Sequence, residues 1–283
     1  MIMLEKLFNY LTLYPTVRYA FIAILLISVS AALLGVSLVL KRYSMIGDGL
    51  SHVSFGAMAI ATVLGLTTPI YITLPITVVS AVLLLRMSAS SKIKGDSAIA
   101  MISSAALAFG YLILNLFSDR VSDASADACA TLFGSGIIGI GMEDVILCTV
   151  LSLFVLIIFV LFYNKIFAVT FDEDFATATG IHAGAYNTVI AIITAVTVVL
   201  AMNLLGALLA SALIIFPTLC AMRLFKTFKG VTVCALIISV VAAIAGMLIS
   251  LILATATGPT VVAVDLVIFI VSFIIGSIKN KRN

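Results

Sequence analysis

Charge is scarce in this sequence. Only 10% of its 283 residues are Asp, Glu, Lys or Arg, against 64% hydrophobic, and mean hydropathy is +1.35. So little polar surface excludes a water-soluble globule. Tryptophan is absent, which leaves any aromatic belt to tyrosine. The four cysteines, Cys129, Cys148, Cys220 and Cys234, form no CxxC pair, which excludes a zinc cluster and a disulfide framework. No Gly-rich loop ends in Lys-Ser or Lys-Thr, so the chain carries no nucleotide site of that kind, and no catalytic constellation appears. The expectation is a non-enzyme. The first apolar run follows Arg18 and lacks a small-residue cleavage site, so it reads as a retained span rather than a signal peptide. A net charge of +3 gives no reason to expect a nucleic-acid partner.

Long apolar runs predict an all-α, polytopic membrane protein, read as one domain over 1–283, with about eight or nine transmembrane helices. Residues 1–17 fit an interfacial helix. The expected spans are 19–40, 48–66, 70–87, 98–117, 145–163, two within 185–224, 231–254 and 259–278. A bend is expected near Asn203 and Gly206, and Pro217 is expected to disturb its helix. Within 118–143 the patch Leu132 to Ile140 is too short to span and too apolar for a plain loop, which predicts a partly inserted outer segment. Residues 164–182 read as a polar connector.

The basic residues fall on one side of such a topology. With nine spans and the carboxyl terminus inside, Lys41, Arg42, Arg86, Lys92, Lys94, Lys165, Arg223, Lys226, Lys229, Lys279, Lys281 and Arg282 are inside; only Lys6, Arg18 and Arg120 are outside. The positive-inside rule then places the carboxyl terminus in the cytoplasm.

One stretch puts polar chemistry into this apolar background: Gly47-Asp48-Gly49-Leu50-Ser51-His52. Asp48 and His52 are four residues apart, on one face of a helix. Counting from Arg42 places His52 roughly 15 Å into the span. A carboxylate and an imidazole are ligands for Zn²⁺, Mn²⁺ or Fe²⁺, and two symmetric chains would supply four. The alternative is that Asp48 caps the helix and His52 is a satisfied buried histidine. Asp172, Glu173 and Asp174 open a short helix that Gly180 ends, either a solvated connector or a docking helix. His182 reads as a loop residue. Asp265, about two turns beyond Thr257-Gly258-Pro259, either faces the pathway or pairs with a neighbouring helix, and structural pairing is the favoured reading. Asp119, Asp123 and Asp127 either concentrate cations at an entrance or are simply solvated.

These motifs, in order, resemble the membrane subunit of bacterial zinc/manganese/iron-chelate ABC importers. The resemblance rests on Lys41-Arg42 before Gly47 to His52, on Leu132-Phe133-Gly134, on Phe171 to Gly180, on Ser211 to Pro217 and on Thr257-Gly258-Pro259. It departs at Phe55, where many members have Pro before the Gly. It implies a homodimeric or paired permease in the bacterial inner membrane. Cytosolic ATP-binding subunits, which hold the ATP, would lie beneath it, and an extracellular or periplasmic metal-binding protein would feed it. It further implies that Asp48 and His52 line the metal path. The helix 172–181, with Asp172, Glu173, Asp174, Phe175, Ala176 and Gly180, would be the cytoplasmic coupling helix. Zinc is the first expectation for the transported divalent ion, with manganese or iron next. The alternative is a proton-coupled cation transporter using Asp48 and Asp265; no internal duplication supports the inverted repeats expected of it.

Overall fold

The computed structural model describes residues 14–66, 68–90, 95–117, 132–134 and 140–282. Eleven helices are described: α1 Pro15–Leu40, α2 Ile46–Val63, α3 Ile70–Ser90, α4 Gly95–Leu116, α5 Met142–Leu161, α6 Tyr163–Phe171, α7 Glu173–Ala178, α8 Ala183–Leu205, α9 Ala207–Leu224, α10 Phe228–Leu253 and α11 Thr257–Arg282. No strand occurs among the described residues. The expected amino-terminal interfacial helix and the acids Asp119, Asp123 and Asp127 lie outside the described residues. So does the partly inserted segment, apart from Leu132–Gly134 and the residues from Ile140.

Among the described residues, seven helices are long and apolar enough to cross a membrane: α1, α4, α5, α8, α9, α10 and α11. Helix α2 is not among them. The reason in α2 is visible in its packing. It lies against α3, α4, α8 and α9, so it meets helices rather than lipid and can carry Gly, Ser, Asp and His.

Helix α1 is the hub, in contact with α5, α6, α8, α9 and α10. Its packing face is made of small residues such as Ala23, Ser28, Ala31 and Gly35, all buried. Apolar attraction is weak where lipid is the alternative, so close backbone approach does the work instead. One direct tie is Ser239 of α10, whose hydroxyl donates to Ser28 O at 3.0 Å. Helix α11 lies at the periphery, packed only on α9 and α10 among the extensive contacts.

The expected bend is a break. Gly206 ends α8 and begins α9, at φ 95 and ψ 155. Pro217, by contrast, does not interrupt α9, which runs through it to Leu224. One missing amide bond is absorbed within a helix packed on α1, α2, α8, α10 and α11. Residues 164–171, read as polar connector, belong to α6, Tyr163–Phe171. Its Ile166, Val169 and Thr170 are buried, and Phe167 and Phe171 meet Phe228 of α10 at ring centroid distances of 5.1 and 5.9 Å.

Three distant sequence motifs meet at the α8–α9 break. A Cβ on Gly134 would lie 1.9 Å from Leu205 O, and one on Gly258 would lie 2.7 Å from Phe133 O. Only bare glycine backbone allows Leu132–Gly134, the break and the start of α11 to touch. At the opposite end, Lys279 donates to Leu224 O, Arg223 lies over the Phe273 ring, and Lys41 reaches Glu173. The basic residues therefore gather at one end of the bundle.

Candidate functional site

The site begins at the turn between α1 and α2. Helix α1 closes with Arg42 N–H donating to Val39 O and Tyr43 N–H donating to Leu38 O, a Schellman pair. Arg42 holds the left-handed position at φ 63, where glycine is usual. Ile46 N–H then donates to Tyr43 O and Gly49 N–H to Met45 O, which starts α2.

Met45, not Asp48, is the N-cap residue of α2. Asp48 is the third residue of the helix, where the amino-terminal dipole favours a carboxylate. Residues 41–45 lie outside the two helices, and His52 lies about 9 Å along α2 from Ile46.

Asp48 and His52 are together. His52 Nε2 lies 3.6 Å from Asp48 Oδ2, and the side chains are 20% and 38% exposed for His52 and Asp48 respectively. Flanking residues Gly47, Gly49, Leu50, Ser51, Val53 and Ser54 are buried, so α2 presents this pair on its one accessible stripe. Gly47 packs against Ile214 and Ser211 of α9, and Gly49 against Ile99 of α4. Those two glycines explain the spacing of the motif: they let α2 sink between α9 and α4, which turns Asp48 outward. The other ring nitrogen of His52, Nδ1, is buried with no hydrogen-bond partner among the described residues.

Two ligands on one tetrahedral ion, each at about 2.0–2.2 Å, stand about 3.4 Å apart. The observed 3.6 Å fits a shared ion with little movement. Among the described residues no group of three or more His, Cys, Asp or Glu side chains gathers to hold a metal.

At the basic end, Asp172 caps α7 by accepting from Phe175 N–H at 2.8 Å. Glu173 and Asp174 fill the first turn, and Ala176 is buried. Gly180, at φ 86, closes the helix with bonds from Gly180 N–H to Thr177 O and from Ile181 N–H to Ala176 O. Phe171 and Phe175 stand 59% and 65% exposed. His182 is the residue before α8 and makes no side-chain cap.

Sequence reading missed Lys41 and Asn187. Lys41 Nζ donates to Asn187 Oδ1 and lies 3.5 Å from Glu173 Oε2, while Asn187 Nδ2 donates to Glu173 Oε1 at 2.8 Å. Burial pushes the Lys41 ammonium below the ordinary lysine value, and the Glu173 carboxylate acts against that. A basic residue at the end of a span reads as a positive-inside marker, which conceals a specific partner. Asp265 departs from expectation in the other direction. It is fully buried, and neither carboxylate oxygen has a hydrogen-bond partner among the described residues, so the expected structural pairing is not found there.

Comparison with known proteins places the chain. The ABC 3 transport family matches residues 13–276. The "Manganese transport system membrane protein MntC" of Halalkalibacterium halodurans is 28% identical over 94% of this chain and 89% of its own length. The "Chelated iron transport system membrane protein YfeD" of Yersinia pestis is 29% identical over 94% and 87%. The "High-affinity zinc uptake system membrane protein ZnuB" of Haemophilus influenzae is 26% identical over 88% and 93%. In fold, the chain is similar to one in the structure described as "PsaBC from Streptococcus pneumoniae in complex with Fab", with TM-score 0.83 and 24% identity over 96% of this chain and 95% of that one. The chain belongs to the ABC 3 transport family, as one of its membrane permeases.

Proposed function

We propose that this chain is the permease subunit of an ATP-driven importer of divalent transition metal ions, zinc first and manganese next. The observation that carries the reading is the Asp48–His52 pair, 3.6 Å apart on the one accessible stripe of a helix otherwise packed among helices. Polar ligand chemistry in such a setting is costly unless it is used. The relatives are named for manganese, chelated iron and zinc. Imidazole with carboxylate at tetrahedral spacing favours zinc among them.

The working unit is two permease chains, whose paired half-sites supply four ligands. All nine helices of eighteen or more residues cross the bacterial inner membrane, α2 and α3 shielded by their neighbours. The basic end faces the cytoplasm, together with the carboxyl terminus. An extracellular or periplasmic binding protein delivers metal at the other end. Cytosolic ATP-binding subunits grip α7, the coupling helix, through exposed Phe171 and Phe175. When they close on ATP, α7 shifts, the permease changes its open side, and the half-sites separate. A two-ligand half-site holds metal more weakly than a four-ligand site, so the ion is released inward.

The test is metal uptake by proteoliposomes that contain the chain with its ATP-binding and metal-binding partners, run with Zn²⁺, Mn²⁺ and Fe²⁺ in parallel. The expected result is accumulation of Zn²⁺ that requires ATP. Uptake driven by a proton gradient without ATP would overturn the reading, and ATP-driven uptake of Mn²⁺ or Fe²⁺ alone would overturn the choice of metal.

A further inference from the structure

We propose that Lys41, Glu173 and Asn187 form the link through which α7 moves the metal-binding helix α2. The inference rests on the transport reading above and adds three residues to it, in a positioning role.

The ring they form is closed. Lys41 contacts both partners, and Asn187 donates to Glu173 at 2.8 Å. It joins three elements: the end of α1, the first turn of α7 and the second turn of α8. The environment is unequal. The Lys41 side chain is 10% exposed and that of Glu173 is 49% exposed. A buried ammonium without an acidic partner is costly, so Lys41 follows Glu173 rather than letting it go.

Little else fastens α7 to the bundle. Its extensive contacts are with α6 and α8 only, and of its six residues Ala176 alone is buried, against Val169 and Ala183. The ring is therefore a direct polar tie from α7 to α1. Beyond Lys41 the path is short and stiff. The Schellman pair and the Ile46 to Tyr43 bond fix residues 41–46, and Asp48 is the third residue of the helix that follows. A displacement at Glu173 is thus delivered to the start of α2 across one hydrogen-bonded turn. An open cavity of about 270 Å³, lined by Tyr43, Leu85, Thr170 and Phe171 beside the ring, gives the three side chains room to move together.

The experiment uses the reconstituted transporter and measures ATP hydrolysis, Zn²⁺ uptake and co-purification of the ATP-binding subunit in each variant. Lys41→Met is expected to retain assembly and ATP hydrolysis within about twofold, and in both Lys41→Met and Glu173→Gln uptake per ATP is expected to fall about tenfold, a usual size for coupling between sites. The exchanged pair, Lys41→Glu with Glu173→Lys, and the conservative Lys41→Arg are expected to recover most of that loss. Unchanged uptake per ATP in both single variants would overturn the proposal. So would an equal fall in hydrolysis and uptake, which marks a docking or purely structural role. Wild-type liposomes without ATP-driven uptake would instead overturn the transport reading, and this inference with it.

Discussion

Gly206→Ala tests the junction between α8 and α9, at the end of the bundle opposite Lys41, Arg223 and Lys279. The residue holds φ 95 and ψ 155, a region that essentially glycine alone adopts, at a cost of about 1–3 kcal/mol for any other residue. A methyl group there would also stand 2.5 Å from Gly134 N, 2.7 Å from Gly134 Cα and 3.0 Å from Phe133 C. All three are backbone atoms, so no rotamer change relieves the overlap, and forced repacking costs about another 1–3 kcal/mol. The sum is about 2–6 kcal/mol. The control is Gly184→Ala: nothing lies within 4 Å of that position, and its change should stay within about 0.5 kcal/mol. With no tryptophan to report by fluorescence, the assay is far-UV circular dichroism during SDS titration of the detergent-solubilised protein. An unfolding midpoint for Gly206→Ala equal to that of wild type would refute the reasoning.

Three further outcomes are expected. Gly180→Ala meets open space but keeps φ 86, so α7 loses about 1–2 kcal/mol and amide hydrogen exchange over 173–181 quickens about tenfold. Phe175→Ala removes an exposed aromatic anchor, and the affinity of the ATP-binding subunit should fall by about 2 kcal/mol, roughly 30-fold, in a binding titration. Asp265→Asn should leave ATP-driven uptake within about twofold of wild type; uptake lost together with its dependence on a proton gradient would favour the proton-coupled alternative.

Much of the fold was legible because spans announce themselves as apolar runs, and the break at Gly206 was legible because glycine marks it. Other features depend on partners far away in the sequence. Nothing local says that Gly134, Gly206 and Gly258 touch, or that Lys41 serves Glu173 and Asn187 rather than only marking the inner side. Arg42 takes a left-handed cap position normally signalled by glycine, and that hid the turn. Pro217 looked disruptive because a propensity rule sees one missing bond, whereas packing on five helices holds the rest of α9. The Asp48–His52 pair was legible from its spacing. Its outward orientation was not, since that comes from Gly47 and Gly49 seating α2 against α9 and α4.

The central claim is that Asp48 and His52 carry the transported ion. Its most direct test is Zn²⁺ uptake by proteoliposomes containing Asp48→Ala or His52→Ala permease, with assembly checked by co-purification of the ATP-binding subunit. The account predicts normal assembly with uptake abolished in each variant. Uptake at the wild-type rate in both would contradict it.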